Sequence, residues 1–322
     1  MPVSVSVQTV PLTPLGFQDV RTVTSATPFS MVGLSWAGAT PEVMELRVRQ
    51  GQGWSEWTTL SVAQGASWGF AASEPVWTGA SHELEIRALR GGAPAQDVSA
   101  VLLDPGRSPL DVAPPVSHTA AYPVITRAGW GADESVRCAE AAYDDEVRAV
   151  ALHHTAATNA YLPEDSAAIV RGIYTYHART LGWCDIGYHA LVDKYGQLFE
   201  GRAGGLDRPV IGAHAGGFNR RTSSIAMLGR YTGTAPTEPQ RDALTRFLDW
   251  KLDLHALDPN GEAALLSQGG GTSRYPPGVT VQVPVIFGHR DVGSTECPGD
   301  DGYALLPALR AAVAWTPLLI TG

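Results

Sequence analysis

The sequence predicts two domains, an all-β sandwich followed by an α/β domain, and three observations carry that expectation. The first hundred or so residues alternate apolar and polar side chains with period two. From about residue 124 onward, short apolar runs alternate with segments of helical spacing. Between them, Asp104 to Pro123 gathers Pro105, Gly106, Pro109, Pro114, Pro115 and Pro123 without periodicity, which reads as a stiff linker. The expected division is a β-sandwich module over 1–106, a Pro-rich linker over 107–123 and a second domain over 124–322.

In the first domain, Met44-Glu45-Leu46-Arg47-Val48-Arg49 and His82-Glu83-Leu84-Glu85-Ile86-Arg87-Ala88 show the alternation of half-buried strands. Phe29 to Trp36, Trp54 to Leu60, Pro75 to Thr78 and Val98 to Leu103 add shorter ones, with Gly51-Gln52-Gly53 and Gly91-Gly92 as turns. A sandwich accommodates this best. Five of the nine tryptophans lie here: Trp36, Trp54, Trp57, Trp68 and Trp77. Large aromatics fill a narrow core more often than they form a sugar platform, so core placement is expected, with Trp54 and Trp57 the better candidates for exposure.

In the second domain, Arg148 to Leu152 reads as a strand leading into His153-His154. Asp165 to Thr180 reads as a helix because Ile169, Ile173 and Tyr176 or His177 recur at three and four residues. Gly187 to Val192 and Gln197 to Glu200 are strands joined through Asp193-Lys194-Tyr195-Gly196, and Ser224 to Leu228 is another. Thr237-Glu238-Pro239-Gln240 has the form of a capping box, continued at helical spacing by Leu244, Phe247, Leu248, Lys251 and His255. A short strand from Val283 to Phe287 and a helix from about Tyr303 to Val313 complete the set. The glycine-rich stretch Asp258 to Val283 is expected to form a hairpin arm near the groove.

Composition narrows the function. A length of 322 residues with 44% hydrophobic side chains supports two sizeable cores. A net charge of −9, from 32 acidic and 23 basic residues, provides no broad basic face, so nucleic acid is not an expected partner. No apolar run reaches the roughly 18 residues of a membrane span. Met1 to Val7 lacks the basic start and apolar centre of a signal peptide, which suggests a cytosolic protein or one whose leader is not part of this sequence.

The chemistry concentrates in Gly288-His289-Arg290-Asp291-Val292-Gly293-Ser294-Thr295-Glu296-Cys297-Pro298-Gly299. His289 should emerge at a strand end and Cys297 should return to it through a tight loop. Val150-Ala151-Leu152-His153-His154 offers a third ligand at another strand end, from one histidine of the pair, because neighbours on a strand face opposite sides. Imidazoles and a thiolate suit Zn²⁺, and three protein ligands leave a fourth position for water. Three cysteines cannot all pair: with Cys297 on a metal, Cys138 and Cys184 are either a disulfide or two separate thiols.

Together with Arg127-Ala128-Gly129-Trp130-Gly131, Gly182-Trp183-Cys184-Asp185-Ile186-Gly187-Tyr188-His189, Phe199-Glu200-Gly201-Arg202 and Gly212-Ala213-His214, these two His-bearing segments resemble the peptidoglycan recognition protein family in order and spacing. The nearest likeness is to its zinc amidases, including the bacteriophage lysozyme-like ones, and it covers about residues 124 to 315. The N-terminal region resembles the β-rich module that precedes this domain in amidases exported by actinobacteria.

The resemblance implies a central mixed β-sheet flanked by helices and hydrolysis of the amide between N-acetylmuramic acid and the L-alanine of peptidoglycan stems. It implies one Zn²⁺ per chain on His153, His289 and Cys297, with Tyr188 as donor to the carbonyl oxygen. Thr295 stands where some phage relatives carry lysine. His214 and Asn219 match positions that contact the muramyl peptide, and Arg202 is a candidate partner for a stem carboxylate. Asp291 is expected to fix its loop. The resemblance also implies a Cys138–Cys184 disulfide and hence an exported, cell-wall protein. His82, His118, His177, His189 and His255 read as structural or surface residues. The alternatives are a recognition module that binds muropeptides without cleaving them and a zinc peptidase acting within the stem.

Overall fold

Runs with period-two alternation joined by tight glycine turns pair antiparallel. In the computed structural model, which describes residues 2–12, 19–63, 71–117 and 122–313, the first domain is all-β and antiparallel. Its main strands lie side by side in the order Ser6–Pro11, Val98–Asp104, Val20–Trp36, Val76–Arg90, Val43–Gln50 and Gly53–Trp54. The pairing of the two longest, Val20–Trp36 and Val76–Arg90, slips in register between Thr24 and Met31, and a bulged stretch of this kind bends a sheet. Val23, Leu34, Trp36, Leu46, Ile86 and Leu102 close around one core.

The second half of the Val20–Trp36 strand is buried on both faces. Val32 and Leu34 enter the first domain's own core, whereas Met31 packs into the second domain. Val76 and Trp77 divide the same way, as do Leu102 and Leu103. One sheet thus belongs to two cores. Gly172 makes the approach possible: a Cβ there would come within 2.7 Å of Met31 Sδ.

The second domain is built on a seven-stranded mixed sheet in the order Val116–Ser117, Val124–Ile125, Leu198–Glu200, Ala190–Val192, Thr222–Met227, Ala149–His154 and Ile286–Gly288. Ala149–His154 is parallel to both its neighbours, and the Ala190–Glu200 hairpin is antiparallel. Helix α1, Ser166–Thr175, covers one face and runs on as a wider turn through Thr180. Helix α2, Glu238–Leu254, covers the other, with the Thr237 hydroxyl accepting from the Gln240 N–H as the capping pattern predicts. The expected last helix is broken into Asp300–Ala304 and Leu306–Ala312, because Pro307 tolerates only the first turn of a helix.

The Pro-rich stretch is more ordered than its composition suggests. Pro109–Asp111 forms a turn, and Val116–Ser117 pairs with Val124–Ile125 at the edge of the second sheet. Asp111 in this stretch is also held by Arg171, 60 residues further on, a partner that composition cannot register. Trp36 and Trp77 are buried, while Trp54 and Trp57 are half-buried with the guanidinium groups of Arg47, Arg49 and Arg87 over their rings at 4.6–5.4 Å. Guanidinium contacts occupy ring surface that a sugar would need. Trp68 and His118 lie outside the described residues.

Cys138 and Cys184 are joined as a disulfide across 46 residues. The bond ties the segment that begins with Trp183 to the start of the second domain. By chain entropy its reduction is expected to remove about 4 kcal/mol of stability. Urea unfolding with and without reductant, alongside an intact-mass gain of two hydrogens, measures this; coincident unfolding curves would contradict it.

Candidate metal centre

Parallel pairing of Ala149–His154 with Ile286–Gly288 brings their carboxyl ends side by side, so His153 and the adjacent His289 share one edge of the sheet. Cys297 is returned to this edge by the intervening loop. Arg290 N–H bonds to Cys297 O at 2.9 Å. Asp291 accepts from the Gly288 N–H at 2.9 Å and from the Tyr303 hydroxyl at 2.6 Å, fixing the turn. The Glu262–Leu266 and Thr280–Pro284 strands form the expected hairpin, and its far loop braces the same region through Ser294 N–H to Thr272 O and Arg274 N–H to Val292 O, each 2.9 Å.

One donor atom from each of His153, His289 and Cys297 lies within 4.8 Å of the other two. His153 Nδ1 is 3.6 Å from Cys297 Sγ, and the two imidazole centroids are 4.5 Å apart. All three side chains are buried. His154 is held elsewhere: its Nδ1 accepts from the Tyr231 N–H at 3.4 Å.

Burial pushes the His289 imidazole down to about 3, and burial followed by the neighbouring His289 and His214 holds His153 well below its usual range. Both rings are therefore neutral and can offer a lone pair. Burial pushes the Cys297 thiol up, so an incoming cation would displace its proton. Two neutral imidazoles and a sulfur facing a cleft fit a borderline-soft divalent cation such as Zn²⁺.

His153 Nε2 is 3.1 Å from His214 Nδ1, and His214 Nε2 is 3.3 Å from Thr222 Oγ1, which donates to Phe218 O at 2.6 Å. With Nδ1 of His153 turned to a cation, its Nε2–H donates to His214 and the chain of polarity continues to Thr222. Such a relay fixes tautomer and ring orientation. Asn219 Oδ1 accepts from the N–H groups of His214 and Ala215 at 2.7 and 2.9 Å, holding this loop. Arg202 donates to Ile186 O at 3.0 Å and Trp183 O at 3.5 Å.

The His-His-Cys cluster borders a cleft of about 270 Å³. Tyr188, His214 and Thr295 line it; the Asn219 and Arg202 side chains do not. The Tyr188 ring lies 5.3 Å from that of His153, and burial, then the charges of Glu74 and Cys297, hold its phenol well above the ordinary value, so it keeps its proton. Thr295 Oγ1 accepts from the Cys297 N–H at 3.2 Å, which leaves its own proton to donate. The opposite wall comes from the first domain through Thr59, Leu60, Ser61, Val62 and Glu74. No motif marks residues 59–74, and sequence reasoning passed over them. Other motif residues are scaffold: Arg127 pairs with Glu134 at 2.8 Å and Asp185 at 3.0 Å, and Trp130 Nε1 donates to Glu200 O at 2.7 Å.

Two families match separate parts of the chain. One, described as N-acetylmuramoyl-L-alanine amidase, matches residues 143–300; the other, described as Rv3811 N-terminal galactose-binding domain-like, matches residues 2–110. Peptidoglycan-recognition protein SC2 of Drosophila melanogaster is 30% identical over 178 residues, covering 55% of this chain and 80% of that protein. Peptidoglycan recognition protein 1 of Bos taurus is 28% identical over 184 residues, covering 57% and 82%. Among solved structures, the ectodomain complex of peptidoglycan recognition proteins LCa and LCx bound to tracheal cytotoxin is 27% identical across 57% of this chain and 93% of that one, with a TM-score of 0.45. With this sequence likeness, and with the His-His-Cys cluster at the edge of its mixed sheet, the chain belongs to the family of peptidoglycan recognition proteins and type 2 N-acetylmuramoyl-L-alanine amidases.

Proposed function

We propose that this protein is a zinc-dependent N-acetylmuramoyl-L-alanine amidase that cuts the amide between N-acetylmuramic acid and the L-alanine of peptidoglycan stems. The observation that carries the reading is the convergence of His153, His289 and Cys297 within 4.8 Å of one another. Zn²⁺ on these ligands would supply a Lewis acid and a water of lowered pKa. Tyr188, a buried phenol that keeps its proton, would donate to the scissile carbonyl oxygen as negative charge develops there. The Thr295 hydroxyl, oriented by the Cys297 N–H, would offer a second neutral donor from the loop side. His214 would hold the His153 ring in place and present its edge to the muramyl peptide, while Asn219 and Arg202 would act through the loops they brace.

The amidase family match and the relatives named for peptidoglycan recognition support the substrate class. The disulfide supports an oxidising, extracytoplasmic setting at the cell wall. No helix among the described residues is long and apolar enough to cross a membrane.

Digestion of purified peptidoglycan, with products identified by mass, tests the proposal. Free stems beginning with L-alanine, lost on chelation and restored by zinc, are the expected products. Retained binding without cleavage would return the reading to a recognition module, and other new amino termini would indicate a peptidase. Tyr188→Phe is expected to lower kcat about 100-fold while leaving KM and bound zinc nearly unchanged; a variant with wild-type kcat would remove Tyr188 from the chemistry.

A further inference from the structure

The cleft wall supplied by the first domain carries a carboxylate with no assigned role. Glu74 lines the cleft, with 12% of its side chain exposed, and its field reaches both Tyr188 and the ligand Cys297. Its Oε2 lies 3.4 Å from His177 Nε2. His177 Nδ1 accepts from the Gly187 N–H at 3.1 Å, so the ring proton resides on Nε2 and is donated to Glu74. A neutral imidazole orients the carboxylate without cancelling its charge. No lysine or arginine among the described residues pairs with Glu74. Arg230, which also lines the cleft, is instead turned to Thr59 O at 2.6 Å.

The wall is fixed rather than appended. Glu74 N–H bonds to Ser61 O at 2.7 Å, Tyr176 Oη to Leu34 O at 3.3 Å, and Met31, Trp77 and Leu103 share a core with Ile169, Ile173 and Tyr188. A half-buried carboxylate held this rigidly, with one face to a ligand cleft, gains most from a cationic partner that arrives with the ligand. Hydrolysis of an amide to an amine creates such a cation in the cleft itself.

We propose that the first domain completes the binding cleft and that Glu74 is its receptor for a primary ammonium group of the stem peptide. The inference rests on the amidase reading for the identity of that peptide. Two sources share this chemistry: the α-ammonium freed at the cut and a side-chain ammonium further along the stem. An ion pair here makes the first domain a determinant of specificity.

Isothermal calorimetry on the full zinc-loaded chain tests this with L-alanyl-γ-D-glutamyl-L-lysine, its Nα-acetyl form and its Nε-acetyl form. Glu74→Gln, which keeps an oxygen for His177, is expected to weaken the free peptide about tenfold or more. It should leave unchanged the one acetylated form that lacks the partner ammonium, which thereby names the source. Ser61→Lys, which places a cation on the same wall without touching His177, is expected to weaken the free peptide comparably and guards against a folding defect in the first variant. Equal affinities of wild type and Glu74→Gln for all three peptides would overturn the proposal, as would the absence of binding to wild type. Calorimetry requires no turnover, so a wild-type chain that cleaves nothing would defeat the amidase reading and leave this comparison intact.

Discussion

Cys297→Ser is expected to abolish both metal and turnover, with zinc falling from about one per chain to near zero and release of stem peptides dropping more than ~100-fold. Loss of an outer partner of a metal ligand already costs about 10–100-fold in affinity or activity, and Cys297 is one of the three residues that could hold the ion directly. The alcohol is a far harder, less acidic ligand than the thiol it replaces. Elemental analysis and mass-resolved digestion measure the two effects; full zinc with full activity would remove Cys297 from the centre. A pH dependence accompanies this. Burial raises the Cys297 thiol, so the apo site carries that proton at neutral pH, whereas burial keeps His289, at about 3, and His153 neutral. Zinc uptake therefore displaces one proton near neutrality, and apparent affinity should rise about tenfold per pH unit from about pH 6 to 8. Competition with a chelator across that range reads the slope in the wild-type chain; an affinity that does not change with pH would contradict it.

Arg171→Met is expected to destabilise the protein by about 3–5 kcal/mol, among the largest effects of any change outside the metal centre. Arg171 is 1% exposed and Asp111 is 4% exposed at the side chain, and they meet through two contacts of 2.7 and 2.8 Å. The same guanidinium also donates to Pro105 O, Gly106 O and Trp130 O at 2.8–3.1 Å, so it gathers the connecting segment, α1 and the first loop of the second domain. Truncation leaves a buried carboxylate without its cation and three carbonyls without a donor. Pairing it with Asp111→Asn should recover part of the loss, because the uncompensated charge goes too. Guanidinium-induced unfolding of the single and double variants measures this; a single-variant loss below about 1 kcal/mol would contradict it.

The elements that sequence made readable are those governed by local periodicity. Alternation in Met44 to Arg49 and His82 to Ala88 is realised as strands, and the Thr237 cap opens α2 where the pattern places it. The boundaries that moved had tertiary causes. The terminal helix divides at Pro307, and the expected strand Trp54 to Leu60 is replaced by the short pairings Gly53–Trp54 and Thr58–Thr59 against Val43–Gln50. Contacts of Asn219 and Arg202 with main-chain groups likewise depend on loops that no spacing rule describes.

Sequence by itself determined the two fold classes and marked His289 and one of His153 and His154 as candidate donors at strand ends; the family resemblance singled out His153, and Cys297 reaches the pair through a loop. A side chain's place at a strand end is a local property, set by a few neighbouring residues. Tertiary structure alone decided that Glu74 faces the cleft, that His214 backs His153 and that Arg171 holds the connecting segment. Those contacts join residues 103, 61 and 60 positions apart. The Glu74 contact exists because the second half of the Val20–Trp36 strand is buried on both faces, so the first domain packs one of them against the second and sets its loops over the His-His-Cys cluster.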